Sequence, residues 1–244
     1  MTSILIKTCS KDYAWLQYLL PSIEKYANGF ESVVIIADND GTTIPIEYID
    51  SIKKYTVSVI YEDLPTKQPI WTECGIGYIW QQYIKLHWFR YCSSEAVLIL
   101  DSDEIIITNM TPDDFKHNGK WMWGYRPWDK AGKAVCHKLA TDIILRIDTE
   151  CEAMCEVGFV LTRNTTERLL AYLSDKDLWD FIVEKNIGKM SEYNIYGSYV
   201  YHIYGDDYFH NMNGQIPRKH LICIRWSWGG ITEEIDRENR RYLE

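Results

Sequence analysis

Short apolar runs alternate with longer segments of helical period through the first hundred residues. Ser3–Cys9 (SILIKTC) is apolar and rich in β-branched residues, the signature of a buried strand. Ser10 or Asp12 then stands where a helix cap is needed. Trp15, Leu16, Leu19, Leu20 and Ile23 recur at helical spacing, and Asn28-Gly29 closes that helix. Ser32–Ala37 (SVVIIA) is a second strand, stopped by the turn cluster Asp38-Asn39-Asp40-Gly41. A short helix over Ile46–Lys54 leads into a third strand, Thr56–Tyr61. Residues 62–75, with Pro65, Pro69 and Gly75, read as a loop; Ile76–Tyr91 reads as an amphipathic helix and Ala96–Leu100 as a strand. The alternation predicts an α/β fold, a mostly parallel central sheet flanked by helices on both faces. In such sheets ligands sit beyond the carboxyl ends of the strands, so Cys9, Asp38, Tyr61 and Asp101 are expected around one crevice.

The second half changes character. Lys120–Arg126 and Val157–Thr162 read as strands, Thr165–Leu173, Leu178–Glu184 and Ser191–Tyr204 as helices. A late strand, Leu221–Trp226, precedes a charged helix over Thr232–Tyr242. Without repeat, low-complexity segment or linker, residues 1–244 are expected to form one unit, with halves at 1–110 and 111–244.

Composition narrows the class. Hydrophobic residues at 46% and charged residues at 25% are the balance of an ordinary globular protein. No apolar run approaches the roughly 20 residues that span a bilayer. Met1–Ser10 reads as a strand rather than a secretion signal, so a cytoplasmic location is expected. Seven scattered cysteines, with no second pair to join Cys151-x-x-x-Cys155, suit free thiols in a reducing compartment. A net charge of −9 argues against sequence-independent binding to nucleic-acid backbones. Ten Trp and 18 Tyr suit sugar stacking, but aromatic cores use the same residues.

The chemistry concentrates where a strand runs straight into Asp101-Ser102-Asp103-Glu104. Carboxylates two residues apart at a strand end can approach one Mg²⁺ or Mn²⁺, ions that favour oxygen ligands and keep positions open for substrate phosphates. A bland alternative is a solvated acidic turn. A sharper one is a haloacid-dehalogenase-like phosphatase, in which the first Asp of a D-x-D is a nucleophile and Gly205-Asp206-Asp207 supplies a second acidic loop. Against it, Ile105 stands where Thr or Val is usual, and about a hundred residues precede the motif.

Several segments together resemble GT-A-fold glycosyltransferases, in particular a bacterial and phage group. These are Gln81-Gln82-Tyr83-Ile84-Lys85-Leu86, a Q-Q-x-x-K-L helix before the Leu98-Ile99-Leu100-Asp101-Ser102-Asp103 strand; Ser191-Glu192-Tyr193 running to Tyr196-Gly197; and the opening Lys7-Thr8-Cys9-Ser10-Lys11-Asp12. The likeness extends from about residue 4 to residue 200 and thins beyond 205. It implies a nucleotide-sugar-binding half at 1–110, an acceptor half at 111–244, and a nucleoside-diphosphate sugar as donor. Asp101 and Asp103 would hold Mn²⁺ or Mg²⁺, and Thr8, Ser10, Asp12, Gln82, Lys85, Asp101 and Ser102 would line the donor site. A third metal ligand would come from His210, His220 or Asp206.

Lys85 is read either as a contact to the diphosphate or as a surface lysine with a buried stem. Glu192 is read either as a base or hydroxyl acceptor in catalysis or as a first-turn acid complementing a helix dipole. Trp226-Ser227-Trp228-Gly229-Gly230 offers backbone N–H groups to a diphosphate or is an ordinary turn. Trp121, Trp123, Tyr125 and Trp128 form an acceptor platform or simply pack. The function expected is metal-dependent transfer of a sugar to a hydroxyl, with a retaining route as the resemblance implies and a polysaccharide or lipopolysaccharide intermediate, glycan or lipid-linked, as acceptor. The alternatives are hydroxymethylated DNA, favoured locally by Arg126, Lys130, Lys133, Lys138 and Arg163, and a sugar-binding module without catalysis.

Overall fold

Alternation of side chains along the central strands sets the layers of the molecule. β1 (Thr2–Thr8) is buried along its whole length, with Leu5 in one apolar cluster and Ile4 and Ile6 in another. Successive side chains of a strand point to opposite faces, so a strand buried at every position must be covered on both sides. The structure, a computed structural model, describes residues 1–72, 75–155, 158–173, 177–204, 208–211, 221–225 and 227–244.

From β1 a 3₁₀ turn, Ser10–Asp12, leads to α1 (Tyr13–Tyr26), followed by β2 (Ser32–Asp38), α2 (Ile46–Ile49), β3 (Thr56–Glu62), α3 (Ile76–Leu86), β4 (Ala96–Asp101) and β5 (Glu104–Ile106). The second half adds β6 (Lys116–His117), β7 (Lys120–Gly124), β8 (Arg126–Pro127), α4 (Lys138–Leu145), β9 (Cys151–Glu152), β10 (Phe159–Thr162), α5 (Arg163–Leu173) and α6 (Leu178–Glu184). It ends with α7 (Glu192–His202), β11 (Tyr208–Asn211), β12 (Ile222–Ile224) and α8 (Glu233–Leu243). The fold is mixed α/β. Its main sheet runs β10-β4-β1-β2-β3, with β4, β1, β2 and β3 mutually parallel and β10 antiparallel beside β4. A strand of the second half thus completes the sheet of the first.

The chain steps outward from β1 to β2 and β3, then returns to place β4 on the other side of β1. Strand order therefore switches between β1 and β4, where open parallel sheets leave a crevice at their carboxyl ends. Lys7 of β1 lies opposite Asp101 of β4 in the register. Residues from α3, α4 and α7 join the cluster on one face, and α1 belongs to the cluster on the other. α8 is fastened to α1: Tyr18 donates to Asp236 Oδ1 (2.6 Å) and Tyr26 to the Tyr242 carbonyl (2.6 Å).

Three predicted elements differ. The helix expected over 46–54 stops at Ile49, and the strand expected over 120–126 ends at Gly124, with β8 pairing separately with β9. The helix expected over 76–91 ends at Leu86 and resumes as a 3₁₀ turn, Trp88–Arg90. At the break, the His87 N–H is shared between the Tyr83 and Ile84 carbonyls, and its ring Nδ1 donates to Tyr83 O at 2.8 Å. That ring also stacks on Tyr83, with centroids 4.0 Å apart. A side chain that returns to the preceding turn competes with helix propagation. α4, β5 and β11 had no signal in the apolar pattern. No disulfide joins the described cysteines.

His87 carries a measurable consequence. Burial lowers its pKa from 6.5 to about 4, so the folded state holds the ring neutral where the unfolded chain protonates it. The folded state then binds fewer protons, and stability is complete above about pH 6.5 and lost as pH falls toward about 4, by a total of about 3 kcal/mol. Urea titrations across that window should show this slope in the parent and a flatter one in His87→Phe. Equal slopes would place the acid sensitivity elsewhere.

Candidate active site

At the carboxyl end of β4, chain segments remote in sequence meet around one ammonium group. Lys85, on the last turn of α3, is 1% exposed; its Nζ donates to Asp101 Oδ1 at 2.6 Å and stands 2.9 Å from Glu192 Oε1. It also reaches Tyr193 Oη at 3.4 Å. Burial works against the ammonium, but the carboxylates of Asp101 and Glu192 outweigh it and hold the Lys85 pKa above the usual lysine range. The surface-lysine reading is therefore overturned. Neither is the Lys85 ammonium turned to open solvent for a phosphate, because carboxylates already occupy it.

Helix geometry explains how these groups converge. Gln82 and Lys85 are three residues apart on α3 and share a face. The buried Gln82 side chain accepts the Glu192 N–H through Oε1 at 3.2 Å, fixing the start of α7. Ser191 caps that helix by accepting the Asn194 N–H. Glu192 is thus a first-turn acid, as one reading held, and is also buried against the ammonium; its Oε2 accepts no hydrogen bond among the described residues. Burial raises its pKa, with Lys85 opposing. Gly197, one turn further on, has no room for a side chain: a Cβ there would come within 2.4 Å of Ala153 Cβ and Trp123 Nε1. That close approach seats α7 against β7.

The acidic motif itself is divided. Asp101, 38% exposed, faces Lys85, and its backbone N–H donates to Glu104 Oε2 at 3.0 Å. Asp103 Oδ2 accepts the Ser227 N–H at 2.6 Å, and the Asp103 carbonyl accepts the Arg225 N–H at 2.9 Å. Burial first, then the Asp101 charge, raises the Asp103 pKa; burial and Asp101 likewise raise that of Glu104 well above the carboxylate range. Burial also raises Asp12, which Asp101 pushes further in the same direction. Carboxylates here outnumber the available ammonium, an arrangement that a bound cation would relieve. Two carboxylates with a partly open oxygen fit Mg²⁺ or Mn²⁺, which take remaining ligands from phosphate and water. Among the described residues no group of three or more His, Cys, Asp or Glu completes a metal cage.

Other expected site residues lie as follows. Thr8 is buried at the end of β1, and Ser102 is buried in the turn between β4 and β5. Ser10 donates to Asp40, and Asp12 accepts from the Cys9 thiol at 3.5 Å. His210 packs its ring on Tyr125 and Tyr201 and belongs to no metal-binding group of described residues. Asp206 and His220 lie outside the described residues, as do the acidic loop 205–207 and Trp226. The Ser227 N–H, expected for a diphosphate, is taken by Asp103. Trp123, Tyr125 and Trp128 are core residues, with Trp123 Nε1 donating to Ala153 O and Trp128 Nε1 to Thr149 Oγ1. Only Trp121 is part-exposed, and Lys116 covers its ring at 4.7 Å. The four form no acceptor platform.

Two participants were given no role of their own in sequence. Glu104 pins the Asp101 backbone; three acids in four positions between apolar runs were the available signal. Lys7, buried in β1, donates to Asp38 Oδ1 and to the Thr8 carbonyl. A lysine inside an apolar strand requires a partner, which was the clue to Asp38. The Ser227 N–H was expected as a donor, but its acceptor is Asp103 rather than a diphosphate. A cavity of about 710 Å³ opens at the opposite edge of the sheet, lined by Thr2, Ala96, Trp121 and Thr162, away from these groups.

A family model described as a family of unknown function (DUF6492) matches residues 3–223, and the chain belongs to that family. No curated protein matches it in sequence. Among solved structures, it is similar to mouse xyloside xylosyltransferase 1 in its apo form, at 12% identity and a TM-score of 0.44, over 87% of this chain and 85% of that one. So distant a likeness carries no inference about activity.

The ammonium bridge can be tested without knowing the substrate. Lys85→Met should lower unfolding free energy by about 3–5 kcal/mol, because it leaves buried carboxylates unpaired. Adding Glu192→Gln should restore part of the loss, giving a coupling of about 1–3 kcal/mol in a double-mutant cycle by urea denaturation. Additive effects would show that the two groups do not meet.

Proposed function

We propose that this protein is a glycosyltransferase that moves a sugar from a nucleoside-diphosphate donor to an acceptor hydroxyl, using Mn²⁺ or Mg²⁺. The observation that carries the reading is the Lys85–Asp101–Glu192 cluster, at the carboxyl edge of a parallel sheet where strand order switches. The segments that supply the cluster are those whose sequences resemble GT-A-fold glycosyltransferases.

In this reading Asp101 and Asp103 hold the divalent ion, which supplies Lewis-acid neutralisation of the departing diphosphate. Lys85 fixes the orientation of Asp101 and keeps a positive charge close to the leaving group. Thr8, Ser10 and Asp12, after β1, line the donor side together with Gln82 and Ser102. Glu192, buried behind Lys85, acts on the acceptor side by orienting that ammonium and, through it, Asp101. The bond from the anomeric carbon to the diphosphate oxygen breaks as the new one forms. A retaining outcome, in which the leaving oxygen takes the acceptor proton, is the preferred route.

The acceptor proposed is a polysaccharide or lipopolysaccharide intermediate. DNA is disfavoured because three of the five cations expected to bind it are already paired. Arg126 pairs with the buried Glu152, Lys138 with Asp142 and Asp148, and Arg163 with Glu167 and the Cys92 carbonyl.

Asp101→Asn and Asp103→Asn should each weaken Mn²⁺-dependent binding of a nucleoside diphosphate by about a hundredfold, measured by calorimetry, since each removes one hard oxygen anion. Unchanged affinity in both variants would remove the metal role. Turnover of a simple phosphomonoester with an aspartyl phosphate at Asp101 would identify a phosphatase instead.

A further inference from the structure

The loop after β3 is long and mostly exposed, yet it is fastened at several points. It leaves the carboxyl end of the sheet at Glu62 and reaches α6 and the segment behind it. Trp179 Nε1 donates to the Lys67 carbonyl at 2.9 Å, and Lys67 pairs with Asp180 at 3.7 Å. Pro69 is buried, and the Trp71 N–H donates to Asn186 Oδ1 at 3.1 Å. Gly188 then seats the indole itself: a Cβ there would come within 2.4 Å of both Trp71 Cε3 and the Trp71 carbonyl oxygen. Even so, Trp71 is 57% exposed, and no other tryptophan among the described side chains is exposed. An indole fixed through its backbone, backed by a glycine and left open to water is a surface already organised for a ligand.

Position and chemistry select that ligand. Four chain steps of at most about 3.6 Å separate Gly188 from Glu192, so the seat of Trp71 lies within about 14 Å of the Glu192 Cα. Glu192 shares the Lys85 ammonium with Asp101, so Trp71 borders the crevice on its acceptor side. A sugar ring presents an apolar C–H face that packs on an aromatic ring, and hydroxyls that need polar groups around it. The exposed Asn186 side chain supplies such a group beside Trp71. Trp123, Tyr125 and Trp128, expected as an acceptor platform, are buried in the core and leave that role open.

We infer that Trp71 is the stacking platform for a sugar of the acceptor glycan. The inference rests on the transfer reading, which makes this crevice the place where the acceptor hydroxyl reacts. A second copy of the chain is the weaker occupant. Ile70 and Trp71, two adjacent side chains at 96% and 57% exposure, offer far less than the roughly 800 Å² per partner of a stable interface.

Three measurements on the full chain test this: binding to an array of immobilised bacterial oligosaccharides, melting temperature, and calorimetry with Mn²⁺ and uridine, guanosine, thymidine or adenosine diphosphate. Trp71→Leu should weaken binding to the best-bound saccharide by about tenfold or more, because it removes the ring face. Trp71→Tyr keeps a ring and should weaken it by less than about threefold. Nucleoside-diphosphate affinity and melting temperature should stay at parental values in both. If Trp71→Leu lowers the melting temperature, Trp71→Met tests the same contact. Saccharide binding that survives loss of the ring, or a parent that binds a nucleoside diphosphate but no saccharide, would overturn the platform and leave the transfer reading standing. Saccharide binding through Trp71 without affinity for any of the four diphosphates would instead overturn the acceptor assignment together with that reading, leaving a sugar-binding protein. A parent that is dimeric by size exclusion and becomes monomeric on Trp71→Leu would overturn the inference in favour of a second copy.

Discussion

A buried ammonium group needs negative partners, and at Lys85 those partners come from two otherwise separate parts of the chain. Asp101 ends β4 in the first half, while Glu192 starts α7 in the second. Each charge alone would be costly to remove from water, and together they are tolerable only in this arrangement. The bridge therefore holds α3, β4 and α7 in one register. Gln82 reinforces it through the Glu192 backbone, and the missing side chain of Gly197 lets α7 come close enough to β7.

Around this bridge the remaining acids are held by backbone donors rather than by cations. Glu104 takes the Asp101 N–H, and Asp103 takes the Ser227 N–H. The second contact depends on the end of the chain. Arg225 donates to Asn239 Oδ1 and pairs with Glu238, both on α8, while its own N–H meets the Asp103 carbonyl. α8 in turn is tied to α1 through Tyr18 and Tyr26. A surface helix far from the crevice thus helps set the geometry of the acidic motif, which remains rich in negative charge and suited to a cation.

Aromatic residues show how the same composition serves different ends. Trp123 stacks on Tyr196 and lies near Phe159 and Tyr208, forming a core under the second half. Their polar atoms are satisfied internally, as with Tyr125, which donates to the Gly197 carbonyl. Exposed apolar surface instead appears on α4, where aliphatic side chains face outward, and at Trp71 in the loop after β3. No helix among the described residues is long and apolar enough to cross a bilayer.

Local sequence determined the strands of the main sheet, the helices between them, and the position of Asp101 at a strand end. Those features follow from apolar periodicity and turn residues acting over a few positions, and β1 to β4 stand where the pattern placed them. Sequence also singled out Lys85 and Glu192, but it left each between a surface role and a site role. Only the tertiary structure decided between them, because burial and ion pairing depend on what approaches from another element. The same holds for the break at His87, where a ring bonding its own preceding turn overrides a continuous apolar pattern, and for Ser227, whose backbone N–H meets Asp103 rather than a diphosphate. Periodicity reports which face of an element is covered. It cannot report which distant group covers it, and the chemistry of this site resides in that choice.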